Sequence, residues 1–169
     1  MPTLAMAARQ PLAPYAPAVV ALAVGLLLDN PMPTLEAGVP RRRLYRARAG
    51  WYATVLAFAT MATAVTLPLA EPSWHGTMLR NAVLLAAVAV LASVAVGGRA
   101  AWLVILVLTL PDLLAGGTDD GTPRAWALLA QPPDSPTAVV VTMTLVVLAL
   151  TCYTRWDARP DLGLADGGT

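Results

Sequence analysis

Lysine is absent from the 169-residue chain, and histidine, cysteine and phenylalanine occur once each. Each shortage excludes something. One cysteine, Cys152, cannot form an internal disulfide or a multi-cysteine metal site. One histidine, His75, has no second imidazole to share a metal or relay a proton and sits between Trp74 and Gly76, as a turn residue would. Charge is scarce too: 12% of residues are Asp, Glu, Lys or Arg, and the formal net charge is +1. A nucleic-acid binder, which neutralises phosphates with clustered surface cations, is not indicated. No Walker motif occurs, so ATP hydrolysis is not expected of this chain.

What is abundant is apolar. Hydrophobic residues make up 57% of the chain, and the mean hydropathy is +0.64. Apolar runs of about 16 to 20 residues are what roughly 30 Å of hydrocarbon demands of a helix. They predict an all-α, polytopic bundle of about five transmembrane helices, with spans near 14–28, 53–70, 81–96, 101–115 and 137–153. The first carries Pro14 and Pro17, which allow an interfacial form and would leave four spans. Residues 1–156 form one domain, and the polar, Gly-rich 157–169 reads as a disordered tail. With one basic residue, Arg9, and Pro11 ahead of the first run, the N-terminus does not read as a cleavable signal. The all-arginine basic set and the Ala, Val and Leu richness fit a GC-rich, actinobacterium-like genome.

Arginine sets the orientation. Arg41, Arg42, Arg43, Arg46 and Arg48 crowd the segment 34–50, and with Arg99, Arg155 and Arg159 they put eight of the eleven arginines on one side of a five-span bundle. That side is expected to be cytoplasmic, in a bacterial inner membrane, with the C-terminus inside and the loop 116–136 outside. Trp51 and Tyr52 open the second span as an interfacial aromatic pair, and Arg124–Gln131 reads as an amphipathic turn lying along the interface.

Four features are candidates for more than topology. Asp112, a carboxylate inside an apolar run, is a functional candidate by default, although its place near the outer end favours snorkelling or capping. Ala89, Ser93 and Gly97 recur every four residues, a small-residue seam for close helix packing within the bundle or between subunits. Thr137, Thr142, Thr144 and Thr151 could line a polar pathway, though such threonines more often bond back to their own helix. The pair Asp120-Gly121, with Arg124-Ala125 after it, is similar to the metal-binding signature of membrane phosphatidyl-transferases. The downstream aspartates are missing and the Arg-Ala order is reversed, so Asp-Gly is read as a turn. No catalytic, cofactor or metal constellation follows from the sequence, and an enzyme is not expected.

The segment from Pro33 to Arg48 runs Pro-Thr-Leu-Glu-Ala-Gly-Val-Pro and then Arg-Arg-Arg-Leu-Tyr-Arg-Ala-Arg. A topogenic loop needs only the arginines. Together with Arg80-Asn81, the stretch Gly97 to Trp102, Trp126 with Pro132-Pro133, and Tyr153 with Arg155, it resembles ABC-2-type permeases of actinobacteria over about residues 20 to 157. The family pattern has six spans, and this chain looks like that pattern without the first. The resemblance implies the membrane subunit of an exporter for a peptide, antibiotic or lipid-like compound, working as a homodimer or with a heteromeric membrane partner. It implies a separate ATPase coupled through Leu35, Glu36, Arg41, Arg42 and Arg43. The alternative is a small accessory, assembly or immunity protein of the membrane.

Overall fold

The computed structural model describes residues 12–27, 40–118 and 122–156, and among these it is an all-α bundle of five helices without a strand. They are α1 (Ala16–Leu27), α2 (Arg41–Thr66), α3 (His75–Val96), α4 (Gly98–Ala115) and α5 (Pro136–Trp156), with short 3-10 turns at Ala13–Tyr15, Leu67–Leu69 and Pro72–Trp74. The segments Arg42–Leu69, Pro72–Val96 and Pro136–Trp156 are each long and apolar enough to cross a membrane, and two shorter apolar helices complete the set. The chain is a membrane protein.

Helix α3 is the spine. Buried residues make up 61% of its most apolar window, against 22% in α2 and in α5. The other four helices pack around it, and Leu84 to Val90 are all buried. Alanines at 82, 86, 87, 89 and 92 make this enclosure feasible, because small side chains let neighbouring backbones come close where lipid offers no hydrophobic drive for association. The seam Ala89, Ser93 and Gly97 is buried inside the bundle, so it packs helices of one copy. The outward faces of α2, α4 and α5 carry Phe58, Met61, Val65, Val107, Leu114, Val140, Met143 and Val147, the side chains lipid solvates.

Several expected boundaries move. The first segment is not broken by its prolines and packs within the bundle. Pro14 lies in a 3-10 turn and Pro17 in the first turn of α1, where a missing N–H removes no helix bond. Ala21 and Val24 of α1 are buried in the core shared with α3. The stretch 34–50, expected as a loop, is helical from Arg41 on, so the span 53–70 is the upper part of one longer helix. Arg, Leu and Ala are strong helix formers, and Pro40, extended at ψ 130, sets the start. Tyr52 turns inward, 3% exposed, and its hydroxyl donates to Val146 O of α5 at 3.0 Å, whereas Trp51 stays outside. On α5, Thr142, Thr144 and Thr151 bond back to carbonyls one turn earlier. Leu35, Glu36, the expected turn pair Asp120-Gly121 and residues 157–169 lie outside the described residues.

The α3–α4 hairpin turns on one residue. Gly97 has φ 93° and ψ 154°, a region that is nearly glycine-only. Gly97→Ala is expected to lower stability by about 1–3 kcal/mol. Gly50→Ala, within α2 and with open space around the new methyl, is expected to gain up to about 1 kcal/mol. Unfolding of both variants in mixed detergent checks the pair, and equal effects would contradict the hairpin geometry.

Candidate functional site

At the end of the bundle opposite the arginines, a polar cluster joins four parts of the chain that are far apart in sequence. Its centre is Asp112, three residues before the end of α4 and 4% exposed. The expectation that this carboxylate snorkels to the interface is corrected: it points inward, because its own chain supplies donors. Asp112 Oδ2 accepts the Leu129 N–H at 2.8 Å, and Oδ1 lies 3.1 Å from the Tyr15 hydroxyl, which donates. Tyr15 stands at the last position of the turn leading into α1. Its hydroxyl is also within 3.2 Å of Asp112 O.

Arg80 and Asn81, in the second turn of α3, hold the rest. The Asn81 Nδ2 donates to Pro14 O and to Leu129 O, both at 2.8 Å. Its Oδ1 accepts from Arg80 Nη2 at 2.9 Å. This assigns the amide orientation, since carbonyls only accept and a guanidinium only donates. Arg80 then spends its remaining donors on the loop, with Nη2 to Leu128 O at 2.9 Å and Gln131 O at 3.0 Å, and Nη1 to Pro132 O at 2.7 Å.

The loop is therefore a strap across the bundle end. It leaves α4 at Gly116, pairs Gly117 with Pro123, returns through Arg124 N to Gly116 O at 2.7 Å, and lays Leu128–Pro132 over the starts of α1 and α3. In the amphipathic turn expected at Arg124–Gln131, Trp126 is exposed, whereas Ala127 and Leu129 are buried and carbonyls of the turn accept from the polar cluster. Gly116 makes the return feasible. A Cβ there would stand 2.7 Å from Asp112 Oδ1 and 2.9 Å from Ala127 Cβ, closer than such atoms come.

His75 is a turn residue, as its neighbours implied: its Nε2 lies 2.9 Å from Leu67 O and 3.3 Å from Ala70 O. Because both partners accept, the ring hydrogen is on Nε2. Among the described residues no group of three His, Cys, Asp or Glu could hold a metal ion. Arg42 and Arg43 are exposed on the first turn of α2, remote from this cluster. Sequence reading found Asp112 and missed its partners, and Arg80-Asn81 at the head of an apolar run was the available signal. The arrangement is one of hydrogen bonds among side chains and loop backbone. It seals one end of the bundle and fixes where the strap lies. No protein-family model, curated protein or solved structure matches the chain.

Removing Asp112 leaves the Leu129 N–H and the Tyr15 hydroxyl without their carboxylate acceptor. Asp112→Ala is expected to cost about 3 kcal/mol, since two donors lose a buried acceptor, and Tyr15→Phe about 1.5–3 kcal/mol because the lost bond has a carboxylate acceptor. Together they should lose less than the sum, read as melting shifts in a double-mutant cycle; strict additivity would sink the cluster as a unit. Thr77 Oγ1, one turn before Asn81, is buried without a hydrogen-bond partner. Thr77→Val is therefore expected to raise stability by about 1 kcal/mol, whereas Thr142→Val, which loses a bond, should not.

Proposed function

We propose that this chain is the membrane subunit of an ABC-type exporter, set in a bacterial cytoplasmic membrane with its arginine end and C-terminus in the cytoplasm and driven by a separate ATP-binding subunit. The observation that supports this reading is a contact between two of the features that carry the resemblance to ABC-2 permeases. Arg80-Asn81 and Pro132-Pro133 are about fifty residues apart in sequence, yet Arg80 Nη1 donates to Pro132 O at 2.7 Å. They are one structural unit, and Gly97 at the head of the Gly-Gly-Arg-Ala-Ala-Trp stretch is the hinge of a hairpin. Features that serve one fold together are more telling than the same residues scattered.

In this reading the segment 34–40 and the start of α2 receive the ATPase, with Leu35, Glu36, Arg41, Arg42 and Arg43 at the contact. Helix α2 is unbroken from Arg41 to Thr66, so a push at its cytoplasmic end is carried to the loop end as a rigid displacement. Two bundles, or this bundle and a heteromeric partner, would flank the path of a peptide, antibiotic or lipid-like substrate, with the strap as outer gate. The chain itself would hydrolyse nothing.

A second reading, a small accessory, assembly or immunity protein, draws support from the spine. In one copy α3 is enclosed by the chain's own helices and its loop end is sealed by hydrogen bonds, which is how a self-sufficient bundle is built. A mild-detergent pull-down of tagged protein from its native host separates the two, comparing wild type with Glu36→Arg. Recovery of an ATPase with wild type and at least tenfold less with the variant is the expected result. No ATPase with either would overturn the exporter reading.

A further inference from the structure

The continuous α2 helix gives its arginines a geometry that a loop would not. At 3.6 residues per turn, taking Arg42 as zero, Arg46 falls about 40° and Arg43 about 100° around the axis. On the same scale the buried stripe Tyr52, Val55, Ala59 and Thr63 falls between about 220° and 300°. Exposed Met61, Val65 and Phe58 fall between about 100° and 160°. Arg42, Arg43 and Arg46, all exposed, thus sit on the side of α2 that turns away from the bundle and runs into its lipid-facing stripe.

Height along the axis agrees. Trp51, 46% exposed, is the aromatic ring at the membrane boundary. At 1.5 Å per residue Arg46 lies about 7.5 Å beyond it, Arg43 about 12 Å and Arg42 about 13.5 Å. The headgroup layer on each side is about 5–8 Å thick. Long arginine side chains reach back toward that layer. On α5, Arg155 and Trp156 are exposed in the last turn, at this same end. Guanidinium pairs phosphate through two parallel hydrogen bonds, which a bare positive charge does not.

We propose that Arg42, Arg43 and Arg46 form a binding surface for anionic phospholipid headgroups of the adjoining leaflet. The exporter reading also places Arg42 and Arg43, at the ATPase contact; the lipid surface does not rest on that reading and is tested on the chain without an ATPase. The occupant is a bilayer lipid, since the three side chains share the side of the helix that runs into its lipid-facing stripe and stand within side-chain reach of the headgroup layer, beyond the level of Trp51.

The test is the relative association of spin-labelled phosphatidylglycerol and phosphatidylcholine with the full chain reconstituted in phosphatidylcholine vesicles. Wild type should prefer phosphatidylglycerol by at least about fivefold, the effect of one fully engaged arginine near the surface. The preference should shrink when salt is raised from 0.05 to 0.5 M, on the order of a threefold shorter screening length. The triple variant R42Q/R43Q/R46Q should bring it close to one, while R124Q, at the opposite end, leaves it unchanged. The triple lysine variant should keep charge but lose part of the preference. If the glutamine triple fails to insert, the salt dependence of wild type still decides. Equal association of both lipids with wild type, or a preference that survives the glutamine triple, would overturn the proposal and leave the start of α2 to an acidic protein partner.

Discussion

A carboxylate inside a membrane bundle has no water to solvate it, so its donors must come from its own chain. Asp112 meets that demand with the Leu129 amide and the Tyr15 hydroxyl, and the position of almost everything at the loop end follows. To bring Leu129 to Asp112 the chain must turn back at Gly116. To bring Tyr15 there, α1 must begin beside the end of α4, which makes the first segment a member of the bundle. Asn81 then ties Pro14 and Leu129 to α3 with one amide. Arg80 closes the set by accommodating three loop carbonyls that would otherwise face hydrocarbon or a helix end without a donor.

The two ends of the molecule are built on opposite principles. At the loop end, charge is buried and shared among hydrogen bonds, which fixes geometry. At the arginine end, charge is exposed on a helical extension, which leaves it available to whatever lies beyond the bundle. Between them α3 carries little but small and aliphatic side chains. That division assigns stiffness to one end and recognition to the other, and α2 connects them without interruption from Arg41 to Thr66.

Apolar run length and the Gly, Pro and Arg interruptions made the five helices legible in the sequence, because burial in lipid imposes those patterns directly. The hairpin at Gly97 was legible for the same reason. Helix starts were read too late where polar residues continue the helix past the hydrocarbon, as from Arg41 to Gly50 and from His75 to Arg80: hydropathy reports solvent and not backbone conformation. Asp112 was visible as an oddity, but its fate was not. Whether such a group snorkels or turns inward depends on donors supplied by Tyr15 and Leu129, and local composition carries no trace of a partner 97 residues away. Trp126 and Leu128 looked amphipathic, yet the tie from Arg80 to the Leu128 carbonyl decides where that loop lies.

The claim on which the account most depends is that the strap is bonded shut onto Asp112. Amide hydrogen exchange of the full chain in detergent micelles, resolved at Leu129, tests it directly. A loop amide protected as strongly as those of α3 between Leu84 and Val90 is the predicted result. Exchange of the Leu129 amide as fast as that of exposed Ala125 would contradict it, because a strap that opens freely cannot be what solvates the buried carboxylate.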